Sequence, residues 1–398
     1  MLKDKTVVLG VTGSIAAYKA AEIASQLTQA GAVVNVVMTQ GATEFISPLT
    51  FRALTGRPVV TEMFDVTSEF SVEHVSLARS ADIVAIAPAT ANVIAKLAAG
   101  IADDMLCCTV LATRAPVIIA PAMETNMYES PITRDNLSEL KERGFVIVGP
   151  AAGWLASGRE GLGRLADIGD IIGTIRRILG KNGDLAGRHI VVTAGGTHEP
   201  IDPVRCIVNR SSGKMGYALA EAALDRGARV SLVTAPVSLR APVGADVINI
   251  GSAQEMRHAT ESVASEADVL IMAAAVADFR PKSVARDKLK RSGSGLKLEL
   301  ESTPDIIATL RGDFVKVGFA AETTNMVESA AEKLKQKGLD LIVANDVAAS
   351  DSGFGADTNR VTIIDREGIV EALPLLSKRE VADRILDNVA RILAKPES

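Results

Sequence analysis

Short runs of β-branched and other apolar residues alternate with helical patterns along the chain, and this alternation limits the possible folds more than any other feature. It is typical of parallel sheets that carry helices on both faces, and it predicts the α/β class. The predicted strands are Thr6–Gly10, Val33–Met38, Ile83–Ala87, Val117–Ala120, His189–Thr193, Arg229–Val233, Val269–Met272, Val315–Gly318 and Leu341–Ala344.

The same opening occurs twice, which predicts two doubly wound, mostly parallel-sheet domains. Near the N-terminus a strand ends in GVTGS, a helix with one apolar face follows, and QAGAVVNVVMT enters the next strand. Near residue 190 a strand ends in TAGGT, and a helix and DRGARVSLVTA follow. Between them GKNGDLAG is polar and Gly-rich, as linkers are. We therefore predict domains at residues 1–178 and 188–398, with a linker at 179–187.

Composition excludes several classes of protein. Apolar residues make up 47% of the 398 residues, yet no apolar run approaches the roughly 20 residues that span a bilayer. The start, MLKDKTVVLGVTGS, lacks a cleavage site, so we expect a mature, cytoplasmic protein. Three cysteines, two of them adjacent in an apolar segment, predict neither a disulfide framework nor a metal site. A net charge of −5 without a basic stripe argues against nucleic-acid binding.

Loops that follow the strands are where ligands bind in open α/β sheets. In the first domain the loop Thr12–Ser14 precedes a helix whose free N–H groups suit a phosphate, with Ser14 as the helix cap. Taken alone, this loop fits a simple capped turn equally well. Three further loops, Met38–Ala42, Ala87–Asn92 and Ala120–Tyr128, carry polar groups after strands.

Together these loops resemble the flavin-binding cysteine decarboxylases over nearly the whole domain. The matching elements are the GSIAAYK start, a His in EHVSLAR, a PxMNxxM-like turn and a late Gly-rich clamp, GWLASGREGLGRL. The resemblance implies a flavoprotein-like fold and FMN, with the FMN phosphate at the first loop and its ring near the third and fourth. The cofactor-binding residues it implies are Gly13, Ser14, Thr39, Pro88, Ala89, Thr90, Met123 and Glu124.

Three positions matter for the decarboxylation that the resemblance implies. His74 suits proton transfer because imidazole titrates near neutral pH. Glu124 stands where the family usually has Asn, and an ionised Glu there would repel the substrate's carboxylate. Ser157 stands where the family commonly has a proton-donating Cys, and a hydroxyl is a much weaker acid than a thiol.

These two departures leave several readings open. Glu124 is protonated, turned away, or the mark of a variant enzyme. For Ser157, either His74 or water donates the proton instead, or the domain is slow, or the serine is an engineered replacement. The first domain is then an active decarboxylase, a flavin-binding or assembly module that has lost decarboxylation, or a flavoprotein for another substrate.

The second half resembles phosphopantothenate–cysteine ligase over almost its full length, from TAGGTHEPIDPVRCIVNRSSGKMGYALA through AAAVADFRP and GFAAET to LDLIVANDV. The resemblance implies a Rossmann-like domain of coenzyme A biosynthesis. Gly213-Lys214 is not part of a P-loop, since Met215 follows and the earlier Gly is missing. Instead Ser211–Lys214 opens a helix whose N–H groups suit a phosphate.

The ligase resemblance implies two steps, in which 4'-phosphopantothenate attacks CTP and L-cysteine then attacks the acyl nucleotide. Mg²⁺ accompanies the triphosphate. Lys288 matches the lysine near the reacting phosphate and Asn209 the residue that holds the acyl nucleotide. The nucleotide contacts implied are Met272, Ala273, Ala274, Asp278, Lys288, Pro304, Asp305, Ile306, Ile307, Phe319, Lys333 and Lys337.

The two resemblances concern consecutive steps, so the chain is expected to be a bifunctional ligase and decarboxylase. The resemblance implies a homo-oligomer in which ligase domains pair and flavin domains form trimers with FMN at a subunit interface, closing into an assembly of higher order such as a dodecamer.

Overall fold

The computed structural model describes residues 2–63, 73–290, 296–322, 326–346 and 355–394. The chain divides into two compact units, Met1–Leu179 and Gly180–Ser398. Residues 181–188 between the last helix of the first unit and the first strand of the second form turns, and Leu185 among them is fully buried. Among the helices in these ranges, none is long and apolar enough to cross a membrane.

The first domain contains a parallel sheet of six strands, β1 to β6, and a separate hairpin of β7 and β8. The strands of the domain are β1 (Thr6–Val11), β2 (Val33–Met38), β3 (Val59–Val60), β4 (Ile83–Ala89), β5 (Val117–Pro121), β6 (Val146–Ile147), β7 (Ala151–Trp154) and β8 (Glu160–Arg164). Its helices are α1 (Ala17–Gln29), α2 (Gln40–Thr43), α3 (Pro48–Thr55), α4 (Glu73–Ser80), α5 (Ala91–Ala99), α6 (Met105–Ala112), α7 (Thr125–Glu129), α8 (Pro131–Glu142) and α9 (Ile168–Gly180). The strand order is β3-β2-β1-β4-β5-β6, and β7 and β8 form a separate antiparallel hairpin.

The second domain repeats this order in a larger, mixed sheet. Its strands are β9 (His189–Ala194), β10 (His198–Pro200), β11 (Cys206–Val208), β12 (Arg229–Thr234), β13 (Asp246–Asn249), β14 (Val269–Met272), β15 (Phe279–Pro281), β16 (Leu300–Ser302), β17 (Val315–Glu322), β18 (Leu341–Asp346), β19 (Thr358–Asn359), β20 (Val361–Asp365), β21 (Val370–Ala372) and β22 (Leu376–Ser377). Its helices are α10 (Lys214–Asp225), α11 (Ala253–Ala264), α12 (Ile306–Thr309), α13 (Met326–Lys337) and α14 (Lys378–Leu393). The order is β13-β12-β9-β14-β17-β18-β20-β21, in which β20 runs antiparallel to both of its neighbours, β18 and β21.

This architecture confirms the predicted α/β class with two doubly wound domains. In both sheets the first strand lies between the second and the fourth, so the chain reverses direction across the sheet between β1 and β4 and between β9 and β14. Ligands of open α/β sheets bind at such a reversal, outside the carboxyl ends of the strands. The topology therefore places one candidate site in each domain.

Apolar burial on both faces of the central strands forms the cores. Every residue of β4 and of β9 is buried, as expected of strands covered by helices on both sides. Helix α1 turns Ala20, Ile23 and Leu27 to the core, the face that its sequence pattern predicts.

The adjacent cysteines lie in the apolar helix α6, where Cys107 is buried and Cys108 is half-buried. Cys107 is fully buried, and burial raises the pKa of its thiol to about 12, which makes it unreactive at neutral pH. The nearby carboxylates of Asp103 and Asp104 lie 2.7 and 3.2 Å from the Lys96 ammonium. Asp104 also accepts a hydrogen bond from the Cys107 N–H, at 2.8 Å, and so caps the helix.

An aspartate immediately before a strand fastens the start of the neighbouring strand in both domains. Asp82, before β4, accepts hydrogen bonds from the Thr6 N–H at 2.8 Å and from the Lys5 ammonium at 3.1 Å. Asp268, before β14, does the same for the His189 N–H at 2.7 Å. Burial disfavours the ionised Asp82, but these hydrogen bonds outweigh it, so the pKa of Asp82 lies below its ordinary value.

We expect Asp82→Asn to destabilise the first domain at pH 7 by about 1 kcal/mol, a modest loss because the carboxylate is partly exposed. A carboxylate with a depressed folded-state pKa stabilises above its unfolded pKa, about 3.9, and loses that contribution as the pH falls through the folded value. The difference between variant and wild type should therefore shrink below about pH 4. Hydrogen exchange of peptides that contain Thr6 measures this difference in stability. Asp135→Asn, at an exposed position, is the control. A difference independent of pH would contradict the account.

Candidate functional sites

In the first domain a buried threonine joins the loops that follow β1 and β4. Thr12 is fully buried, and its hydroxyl donates to the Pro88 carbonyl at 2.8 Å and accepts from the Thr90 N–H at 3.0 Å. Both groups would otherwise be backbone polar atoms without a partner at the end of a buried strand. Thr12 thus holds the first and third predicted ligand loops together.

The first loop packs closely on the second at Gly13, where a side chain would make a tight contact. A Cβ atom on Gly13 would lie 3.0 Å from the carbonyl carbon and oxygen of Gly41.

The prediction that Ser14 caps the following helix is wrong, because α1 begins at Ala17 and residue 16 holds the cap position. The Ser14 hydroxyl instead lies in a turn, where it accepts from the Ala16 N–H at 3.3 Å. A turn between the strand and the helix displaces the serine from the helix end.

The predicted Gly-rich clamp is the β7–β8 hairpin, which packs on the loop after β5. The Met123 N–H donates to the Gly163 carbonyl at 2.9 Å. A Cβ on Gly163 would lie 2.2 Å from the Met123 carbonyl oxygen, and one on Gly161 would lie 2.2 Å from the Thr125 hydroxyl. The glycines therefore permit the hairpin's close approach. Ser157 lies exposed near its tip.

These loops enclose a cavity of about 420 Å³ with a mostly apolar lining. Six of the predicted first-domain residues line it, namely Gly13, Ser14, Thr90, Met123, Glu124 and Ser157. Four do not: Thr39 lies at the start of α2, Pro88 and Ala89 lie in the end of β4, and His74 lies half-buried in α4.

Charged groups in this cavity include two that the sequence interpretation did not single out. Lys19 and Arg164 both line it, and burial together with the charge of Arg164 lowers the pKa of Lys19. The Glu124 carboxylate accepts from the Asn126 N–H at 2.5 Å, at the start of α7. Glu124 therefore serves as a helix cap, which gives its side chain a structural partner. Lys19 lies in the GSIAAYK segment and Arg164 in the GLGRL segment. Their place in these two motifs is the only feature of the sequence that could have indicated that they line the cavity.

In the second domain two buried threonines join the corresponding loops. The Thr193 hydroxyl accepts from the Ala274 N–H at 3.2 Å, and the Thr197 hydroxyl accepts from the Ala277 N–H at 3.0 Å. Asn209 contacts the same loop, since its amide donates to the Val276 carbonyl at 3.0 Å. The loop after β14 is thus fixed by side chains from the loop after β9 and from the segment after β11.

The predicted nucleotide contacts gather around a polar cavity of about 370 Å³. It is lined by Asn209, Met272, Ala274, Asp278, Pro304, Asp305, Ile306, Ile307, Phe319, Lys333 and Lys337, among others. The Lys337 ammonium lies 2.8 Å from the Asp305 carboxylate, which also caps α12. Two ammonium groups one helical turn apart on α13 therefore face one cavity.

Two predicted ligase residues lie elsewhere. Ala273 does not line the larger cavity but a neighbouring one of about 170 Å³. Lys288 is exposed and lines neither cavity. Its neighbour Leu289 is held by the turn before β11, because the Leu289 N–H donates to Asp202 at 3.1 Å and Arg205 donates to the Leu289 carbonyl at 2.9 Å.

The smaller cavity lies at the start of α10 and shares a wall with the larger one. Ala274, Ala275, Phe319 and Ala320 line both. The residues that line the smaller cavity but not the larger one include Ser211, Ser212, Gly213, Lys214, Asn345, Asn359 and Lys378. Lys214 donates to Asp357 at 2.7 Å, which lowers the pKa of Asp357.

Known proteins match this chain over almost its whole length. Residues 1–180 match the family described as Flavoprotein, and residues 185–393 match the DNA/pantothenate metabolism flavoprotein C-terminal domain. The coenzyme A biosynthesis bifunctional protein CoaBC of Bacillus subtilis (strain 168) is 48% identical over 398 residues, which cover 98% of each chain. The CoaBC protein of Vibrio vulnificus (strain YJ016) is 44% identical, over 98% of this chain and 99% of that protein.

The chain belongs to the CoaBC family. A crystal structure of the C-terminal domain of a CoaBC protein is also similar, with 42% identity, a TM-score of 0.47, and coverage of 53% of this chain and 98% of that one. Family membership confirms the predicted bifunctional enzyme of coenzyme A biosynthesis, which has ligase and decarboxylase activities and a flavoprotein domain. It does not favour the alternative in which the first domain is an impaired assembly module.

Thr12→Val should lower the stability of the first domain by about 2 kcal/mol, because the Pro88 carbonyl and the Thr90 N–H both lose a buried partner. Thr109→Val is the matched control. Thr109 is equally buried, but its hydroxyl donates to the Met105 carbonyl, four residues earlier in α6, at 2.7 Å. That carbonyl keeps its helical N–H partner, so the control variant should lose less stability. Chemical denaturation of both variants measures the effect, and equal losses would show that Thr12 has no special role.

Proposed function

We propose that the second domain joins 4'-phosphopantothenate to L-cysteine with CTP and that the first decarboxylates the product to 4'-phosphopantetheine with FMN. The observation that carries the ligase half is the pair of cavities that share the wall formed by Ala274, Ala275, Phe319 and Ala320. One cavity suits a nucleotide and the other an acid with a phosphate. Such a pair suits a reaction that joins a carboxylate to a nucleotide.

The larger cavity suits the triphosphate end of a nucleotide. Lys333 and Lys337 provide positive charge beside the phosphates, and Asp278 and the Pro304–Ile307 segment complete the polar lining. Mg²⁺ then binds through phosphate oxygens and water and needs no dedicated protein ligands.

The smaller cavity suits the phosphate of phosphopantothenate. Helix α10 has 12 residues, and Gly213 at its cap position leaves the first N–H groups without a side-chain cap. Lys214 and the hydroxyls of Ser211 and Ser212 lie at the same end. Helix N-termini of this kind stabilise phosphate groups.

With both substrates so bound, the carboxylate attacks the α-phosphorus of CTP and pyrophosphate leaves. The cysteine amine then attacks the acyl carbon, forms the amide and releases CMP. Asn209 lies beside the loop after β14, where its amide suits the acyl nucleotide without adding charge. Lys288 offsets the charge that develops on the reacting phosphate, as the family resemblance implies. Lys288 can play this role only if the segment that carries it moves from its exposed position to the larger cavity.

Lys333→Gln should raise the KM for CTP about tenfold, because a cation that contacts phosphate contributes on the order of 1.5 kcal/mol. Lys335→Gln is the matched control, since Lys335 lies on the same helix, is exposed, and lines neither cavity. Pyrophosphate release at varied CTP and ATP measures both variants and the nucleotide preference. Equal effects of the two substitutions would remove Lys333 from the proposed nucleotide site.

For the first domain, the cavity between the Thr12–Ser14 loop and the β7–β8 hairpin fits FMN in size and chemistry. Its lining is apolar enough for a ring system, and Ser14, Thr90 and Lys19 offer hydroxyl and ammonium groups for a phosphate. When bound, FMN would supply reversible two-electron redox chemistry at the substrate's thiol. The hairpin would cover the substrate and exclude water, and Arg164 would offset the substrate's negative charge.

The assembly predicted from the family would complete this site. Ile15, Tyr18, Trp154 and Met127 line the cavity, and each is at least half exposed. An apolar rim of this kind favours contact with another protein surface. We propose that flavin domains form trimers, that His74 reaches the cavity of a neighbouring copy, and that ligase domains pair, in a cytoplasmic enzyme. Light scattering of the full chain tests the assembly; a monomer would contradict it.

Ser157→Cys should increase 4'-phosphopantetheine formation if proton donation from this position limits the rate, because a thiol is far more acidic than a hydroxyl. Ser130→Cys, outside the cavity, is the control. Product formation from phosphopantothenoylcysteine measures the effect in the FMN-loaded enzyme. An unchanged rate would mean that another group, such as His74 or water, supplies the proton at full speed.

A further inference from the structure

Among the residues that the structure describes, two amide side chains that line the smaller ligase cavity have carbonyl oxygens without a hydrogen-bond partner. Asn345 lies near the end of β18, and Asn359 lies in β19 with only 2% of its surface exposed. The Oδ1 atoms of both are buried and accept no hydrogen bond from any residue within the described parts of the chain. Buried acceptors in native proteins are nearly always satisfied, by protein, by water or by a ligand. A cavity lined by two such oxygens is therefore suited to a ligand that donates hydrogen bonds.

Charges around the same cavity indicate that the ligand is also an anion. Lys378, the first residue of α14, is 7% exposed, and its ammonium donates to the Ala356 carbonyl. Lys214 donates to the Gly355 carbonyl at 2.8 Å. Two ammonium groups and the uncapped start of α10 make the cavity electropositive. A nearly buried ammonium is costly to keep charged, and an anion beside it reduces that cost.

Of the three substrates in the proposed reaction, phosphopantothenate is the one that fits this cavity best. It is a phosphate monoester, and between its phosphate and its carboxylate it carries two kinds of hydrogen-bond donor, a secondary hydroxyl and an amide N–H. Cysteine has no phosphate, and the nucleotide has the larger cavity on the other side of Phe319. The acid substrate would thus extend from α10 past the amides toward the shared wall.

We infer that Asn359 is a specificity-determining residue of the ligase, whose carbonyl oxygen accepts a hydrogen bond from the hydroxyl or amide N–H of the acid substrate. This inference rests on the proposed function of the second domain. A site built to pair with a donor discriminates strongly against an analogue that lacks it, because the protein acceptor is then left buried and unpaired.

The first test uses the wild-type full chain with two analogues of phosphopantothenate, one without the secondary hydroxyl and one with an ester in place of the amide. We expect the kcat/KM for one of them to fall about tenfold or more, which identifies the donor. Equal use of both analogues and the natural acid would overturn the inference. Failure of the wild type to ligate the natural acid would instead contradict the proposed function itself.

The second test compares Asn359→Ala with Asn388→Ala. Asn388 lies on the outer part of α14 and donates to Glu371 at 3.1 Å, so the control removes an amide remote from the cavity. In Asn359→Ala we expect the KM for phosphopantothenate to rise about tenfold, the KM values for CTP and cysteine to stay within about twofold, and the discrimination between analogues to disappear. Equal changes in all three KM values, a change for cysteine alone, or undiminished discrimination would overturn the inference. If the variant does not fold, the analogue test on the wild type decides.

Discussion

Buried threonine hydroxyls at the strand-order reversal of each sheet are the contacts on which both candidate sites depend. Thr12 joins the loops after β1 and β4, while Thr193 near the end of β9 and Thr197 in the loop after it both bind the loop after β14. Parallel sheets leave the backbone polar groups of these loops unpaired at the carboxyl edge. Each of the three hydroxyls accepts a hydrogen bond from an N–H group of the neighbouring loop, and that of Thr12 also donates to a carbonyl there. The same physical problem has the same solution in two domains of different chemistry.

Fixing these loops has different consequences in the two domains. In the first, the fixed loops form one wall of a cavity that the β7–β8 hairpin closes, and glycines at 161 and 163 let the hairpin approach. In the second, the loop after β14 becomes a shared wall between two cavities, so two ligands can meet across Phe319. The first domain thus has one large cavity at its strand-order reversal, and the second has two cavities with a common wall. This difference agrees with a decarboxylase and a ligase within one CoaBC family member.

Local pattern in the sequence was enough to predict the central strands and the fold class. All nine predicted strands exist, most of them one to four residues longer at the carboxyl end, because apolar periodicity marks the buried middle of a strand better than its end. The two-residue strands β3 and β6 were not predicted, since they owe their pairing to neighbouring strands and have little pattern of their own. Ser14 was wrongly assigned as a cap because a turn of unpredictable length separates β1 from α1.

The site was predictable to the extent that motifs lie on the loops after strands. Family resemblance selected most of the residues around the two large cavities, yet it gave no sign that Asn359 and Lys378 from the C-terminal part would line one cavity with Ser211 near the start of α10. Such contacts join residues more than 140 positions apart and depend on tertiary packing. Resemblance also cannot show geometry, which is why the exposed Lys288 and the placement of His74 away from the cavity became apparent only in the structure.

One chain with two consecutive activities should release pyrophosphate and carbon dioxide from the same FMN-loaded protein, and the two products can be measured separately. Phosphopantothenate, cysteine, CTP and Mg²⁺ are supplied together, and both products are followed to completion. We expect equal final amounts of the two, with carbon dioxide lagging behind pyrophosphate. Pyrophosphate without carbon dioxide would contradict it.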